Sequence, residues 1–243
     1  MNETCSDLGA IRKGELIGGL LYLPVYLFCA EYAAIWIAGL IGIDLTQASA
    51  IGPANLIFNG LNAVVLAAIF LRFLIDQLRP LQERGWRLFP DLVLGWLTNY
   101  GLSFPAAFAA NMLLTALGME YYNLNQEIVE LAMSMSPAAA ILNACVLAPF
   151  VEELLFRGLI FRGLHRRSRV WAYAVSMLAF ALTHTLSAIL RQPVGLTLVN
   201  VIVYLPAGFA LARIYEKSKT IWEAVFLHAA INAVSMLLLN LKL

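Results

Sequence analysis

Runs of about twenty apolar residues recur along the chain, set apart by short polar stretches. They lie at about 16–43, 54–75, 92–118, 138–162, 171–189, 195–215 and 220–240. A helix needs roughly 20 such residues to cross the hydrocarbon layer. The pattern therefore predicts an all-α fold, a polytopic transmembrane helix bundle of about seven spans. The first run is long enough to tilt or bend, with Pro24 as the expected kink. The second opens with Asn55, Asn59, Gly60 and Asn62, so its first half is polar. That half is expected either to face other helices or to form a re-entrant segment, which would raise the count to eight. The first run exceeds the length of a signal-peptide core and six more follow, so it is read as a span.

Composition strengthens this picture. Hydrophobic residues make up 61% of the chain and charged residues 13%, against roughly 45–50% and about 25% in soluble domains. A formal net charge of +1 leaves no basic field to neutralise phosphates, which excludes nucleic acid as a partner. Cys5, Cys29 and Cys145 are an odd count with two in apolar runs, so no disulfide framework is expected. With a cytoplasmic N-terminus, seven spans place twelve of the sixteen Lys and Arg residues in cytoplasmic segments and only Arg191 and Lys242 outside. That bias is what the positive-inside rule requires. The predicted external loop 119–137 carries Glu120, Glu127 and Glu130 and no basic residue. Most of the five tryptophans fall near span ends, as interfacial anchors do.

Ionisable groups within spans are costly and functional by default. The fourth span holds Glu152, Glu153 and Arg157. Glu153 and Arg157 are four residues apart and face each other on a helix. Glu152 is turned about 100° away and is left without that partner. One structural and one working carboxylate is the expected division, the second being the type of group that general-base catalysis requires. The fifth span contains Phe180 and His184, and the seventh His228 and Asn232 on one helix face. Counted from the inner helix ends, Glu152, His184, His228 and Asn232 lie ~12–20 Å deep. Three helices thus bring a carboxylate, two imidazoles and an amide to the middle of a ~30 Å layer. Two chemistries fit these groups. In one, Glu152, His184 and His228 hold a Zn²⁺ that polarises water. In the other, which needs no cofactor, Glu152 with His184 activates water while His228 and Asn232 donate to a developing oxyanion. The neutral amide of Asn232 suits the second better, being an unusual zinc ligand. Glu31, in the first span, has no motif partner; pairing with Asn59 or Asn62 is expected, or contact with substrate.

At these residues the sequence resembles the CPBP family of intramembrane proteases, also called the CAAX prenyl protease 2 or Abi family, with its Rce1-like peptidases. Glu152, Glu153 and Arg157 match E-E-x-x-x-R, Phe180 and His184 match F-x-x-x-H, and His228 and Asn232 match H-x-x-x-N, in that order. The resemblance implies an intramembrane endopeptidase acting on a membrane-associated protein or peptide. Glu152 would activate water with help from His184, and His228 and Asn232 would bind the oxyanion. Glu153 and Arg157 would shape the site or position the substrate. Residues 138–243 would form the catalytic core of a single membrane domain, with 1–137 serving substrate entry. A bacterial inner membrane is the expected location. The competing readings are a Zn-dependent version of the same hydrolysis, a non-proteolytic immunity or binding protein, and a proton-coupled transporter. The last is disfavoured by the lack of evident inverted repeats.

Overall fold

The computed structural model describes residues 8–186 and 192–240. Cys5, Arg191 and Lys242 lie outside the described residues, as does the end of the 171–189 run. All seven apolar runs are helical, and among the described residues there is no strand. The first run forms α1 (Lys13–Phe28) and α2 (Ala30–Leu40). The two meet at a 62° bend. The bend falls at Cys29, whereas Pro24 sits inside α1. Cys29 keeps its N–H bond to the Val25 carbonyl, so the chain turns one residue after α1 has completed its bonding.

The second run is α3 (Ile51–Ile69), and short helices α4 (Leu71–Asp76) and α5 (Leu78–Arg84) lead into α6 (Leu88–Leu117). Gly118, at φ 63°, ends α6 in the left-handed conformation, which glycine adopts without penalty. The predicted external loop contains α7 (Leu124–Met135), started by the Asn123 side chain accepting the Gln126 N–H. The fourth run is a 29-residue helix from Pro137 to His165. It comprises α8 (Pro137–Leu142), a π segment (Asn143–Leu147), α9 (Ala148–Glu153), a second π segment (Leu154–Phe161) and α10 (Arg162–His165). Then follow α11 (Arg169–Thr185), α12 (Val194–Ser218) and α13 (Ile221–Asn240).

Among the described residues, five helical stretches are long and apolar enough to cross a membrane, six if the bent α1–α2 pair is one span. The seventh expected span is α11, whose 17 described residues end just before the chain leaves the described region. Asn59 and Asn62 face neighbouring helices. Asn62 accepts from the Tyr22 hydroxyl at 2.7 Å and donates to the Phe58 carbonyl, and Asn59 donates to Asn143. Neither pairs with Glu31, which is exposed on α2. Trp36, Trp86 and Trp171 are also exposed.

The segments expected to be cytoplasmic meet at one end of the bundle. Arg12 reaches Asp76 at 2.5 Å and Glu15, which also pairs with Arg162. Arg84 bridges Asp91 and Glu223, and Lys217 reaches Asp91 at 2.5 Å. Glu216 gathers His165, Arg169 and the Tyr173 hydroxyl. The opposite end is held by neutral groups. The Tyr204 hydroxyl accepts from Asn123 and Asn125, and Asn200 donates to the Tyr122 carbonyl.

The main core is formed by Leu154, Leu155, Phe156, Phe180, Leu211, Tyr215 and Leu227. Close helix approach within it depends on Gly208, where an added Cβ would lie 3.1 Å from the Met177 Cα. Small residues at such crossings let backbones pack in a membrane. Gly208→Val is therefore expected to cost about 1–3 kcal/mol by overpacking, read as a lower midpoint of denaturant unfolding in micelles. An unchanged midpoint would show that α11 and α12 separate freely.

Candidate active site

Glu152 and Glu153 occupy the last two positions of α9, the short α-helical piece between two π segments. Pro149 is the reason the first π segment leaves a carbonyl to be satisfied. The Ala148 N–H bonds the Asn143 carbonyl, and the next residue, a proline, has no N–H to offer Ala144. Asn232 fills the gap: its Nδ2 donates to the Ala144 carbonyl at 2.7 Å. The amide has a second N–H that this bond does not use. π bulges of this kind recur at functional sites.

The second carboxylate is wholly buried. Glu153 Oε1 accepts from Arg157 Nη1 at 2.9 Å and lies 2.9 Å from His228 Nδ1. Arg157, equally buried, donates from Nη2 to the Gly208 carbonyl at 2.9 Å. Its guanidinium lies 4.9 Å from the centre of the Phe180 ring. Phe180 is the shared wall of the cluster, since its ring also lies 4.5 Å from that of His184 and 5.5 Å from that of His228.

Glu152 stands differently. Its Oε2 is buried and, among the described residues, accepts no hydrogen bond. His184 Nε2 lies 3.7 Å from that oxygen and His228 Nε2 3.9 Å from it. His184 Nδ1 is 2.8 Å from the Phe180 carbonyl. A carbonyl only accepts, so Nδ1 carries the proton and Nε2 presents its lone pair toward Glu152. His228 Nδ1 faces the Glu153 carboxylate and is protonated by the same reasoning. The carboxylate and the two imidazoles named from sequence thus converge. Asn232 sits one turn of α13 from His228, with one of its donors committed to Ala144.

The ligand types suit zinc, which takes imidazole and carboxylate. Both Nδ1 atoms being bonded leaves the Nε2 of each histidine facing one Glu152 oxygen, at 3.7 and 3.9 Å; as they stand, no three His, Cys, Asp or Glu side chains among the described residues come together closely enough to hold a metal ion.

One residue at the site carried no signal in the sequence. The Tyr204 ring lies 4.5 Å from that of His184, with its hydroxyl fixed by Asn123 and Asn125. It is an aromatic residue within an apolar run, indistinguishable there from a lipid-facing or core side chain.

Residues 134–234, about two fifths of the chain, match the family described as type II CAAX prenyl endopeptidase Rce1-like. A Bacillus subtilis (strain 168) protein named "Putative membrane peptidase YdiL" is 27% identical over 93 residues, 38% of this chain and 34% of its own length. The Lactococcus lactis UPF0177 protein YaiH is 30% identical over 98 residues, 40% of this chain and 36% of its own. The matched regions thus span about a third of the length of these relatives. No solved structure matches the chain. The stretch that matches this family model holds Glu152, Glu153, Arg157, Phe180, His184, His228 and Asn232.

Proposed function

We propose that the protein is an intramembrane endopeptidase that hydrolyses a peptide bond of a membrane-associated protein or peptide. One observation carries the reading: a buried carboxylate oxygen on Glu152, without a hydrogen-bond partner among the described residues and flanked by two imidazole nitrogens, within a membrane-spanning segment of protease-like sequence. Glu152 takes a proton from water as the water oxygen attacks the carbonyl carbon. His184 orients that water through its Nε2 lone pair. The carbonyl oxygen becomes an oxyanion and receives the Nε2–H of a protonated His228 and the second N–H of Asn232. Glu153 opposes the imidazolium charge, as the carboxylate behind a catalytic histidine does. The proton held by Glu152 then passes to the leaving amine as the C–N bond breaks. No step in this scheme depends on a metal.

Residues 138–243 would form the catalytic core and 1–137 the substrate entry. The clustering of basic segments at one end supports a cytoplasmic N-terminus, and the bacterial origin of the two similar proteins supports a bacterial inner membrane. The test is cleavage of a panel of membrane-delivered peptides by the purified protein with and without excess chelator. Cleavage that survives chelation is the expected result. Cleavage lost to chelator and restored by Zn²⁺ would replace this scheme with the metal-dependent one.

A further inference from the structure

A hydrolase buried in lipid has to be supplied with water, and the polar first half of α3 has no part in the chemistry above. Its asparagines do not all find protein partners. Asn62 is satisfied by Tyr22 and Phe58, and Asn59 donates to Asn143 Oδ1 at 2.9 Å. Among the described residues, the Asn55 side chain makes no hydrogen bond and the Nδ2 of Asn143 has no acceptor. Both side chains are half-buried, and amide groups without a protein partner at such positions bond to water.

Both amides line one cavity, walled by Gly52, Ala132, Ala140 and Ala144, between α3, α7 and the start of the long fourth helix. It leaves about 20 Å³ for the centre of a water-sized sphere, where one water needs roughly 10–15 Å³. The wall is cut back to make this room. A Cβ at Gly52 would lie 2.8 Å from the Ser136 Cβ, and three of the other wall residues are alanines. A site that is roomy and polar holds water, whereas an apolar one of the same size stays dry. From Ala144, whose carbonyl accepts from Asn232, one turn of α13 leads to His228. The Nε2 of His228 lies 3.9 Å from Glu152 Oε2.

We infer that Asn55, Asn143 and the Ala144–Asn232 junction form a water-binding route that feeds the Glu152 site from the bundle end carrying α7. The inference rests on the hydrolytic reading for its purpose, but the water site itself does not.

Two of the sulfur atoms in the apolar cluster that shares Ala132, Ala140 and Ala144 with the cavity allow the route to be read. Cys145 and Met236 lie 3.9 Å apart and pack into the apolar cluster of Ala132 and Ala140. Radiolytic hydroxyl-radical labelling of the full chain in nanodiscs oxidises side chains that touch ordered water. Cys145 and Met236 are expected to be labelled several-fold faster than Met177, which is more exposed than Met236 but lies on α11 away from the cavity. Asn143→Leu should lower labelling at both sulfurs several-fold. Asn55→Leu, at a half-exposed position that bonds nothing, should do the same without risk to folding. Equal labelling of the sulfurs in wild type and in Asn55→Leu would overturn the route, whatever the peptidase activity. Labelling that responds to both variants in a protein that cleaves no peptide would uphold the water site and remove the hydrolytic reading.

Discussion

Glu152→Gln is expected to slow peptide cleavage by about 10²–10⁴-fold, the usual contribution of a positioned general base, with the helical fold retained. The reasoning starts from what the side chain lacks. Among the described residues Oε2 accepts no hydrogen bond, so an amide of the same size breaks no structural contact there. It does remove the ability to take a proton from water. The neighbours that give the group its setting, His184 and His228, stay in place. Rates on a cleaved peptide, set beside thermal unfolding of both proteins in the same detergent, check the expectation. If the variant cleaved within a few-fold of wild type, the base would have to be sought elsewhere, with His184 the first alternative.

Arg157→Met is expected to be the most destabilising single change at the site, by about 3–5 kcal/mol. Arg157 and Glu153 are both fully buried. Truncating the cation leaves a carboxylate in an apolar core with His228 as its remaining hydrogen-bond partner. It also frees the Gly208 carbonyl, which accepts from Arg157. The double variant Glu153→Gln with Arg157→Met should recover much of the loss, because a buried pair removed together costs far less than a pair broken. Reversible unfolding of the two variants in micelles measures this. A single variant as stable as wild type would mean that the pair is dispensable to folding.

The sequence made the helices legible because spacing and apolar length report directly on burial in lipid. Every predicted run is helical, yet the count by length and apolarity is five or six rather than seven. The difference lies in α11, which is short within the described residues. Pro24 was the natural place to expect a kink, and the chain bends at Cys29 instead, a residue with no local signature of a break. Glu153 and Arg157 were paired from their four-residue spacing, and they are paired in the structure. The converging side chains of Glu152, His184 and His228 were legible because ionisable groups are rare in such a chain. Tyr204 was not, since an aromatic ring in an apolar run has no special pattern. The partner of Asn232 was hidden as well. It is a backbone carbonyl freed by a proline five residues further on, and only the π geometry exposes it.

The same π segments affect how this chain is set beside its relatives. Each accommodates one residue more per turn than an α-helix does, so the fourth helix contains more residues than its length in space requires. Against a relative whose equivalent helix is regular, residues equivalent in space fall out of step in an ungapped comparison across 143–147 and again across 154–161. One-residue gaps placed inside those two stretches would keep Glu152 and Glu153 opposite their counterparts, while gaps moved into the flanking loops would turn both carboxylates onto the wrong face.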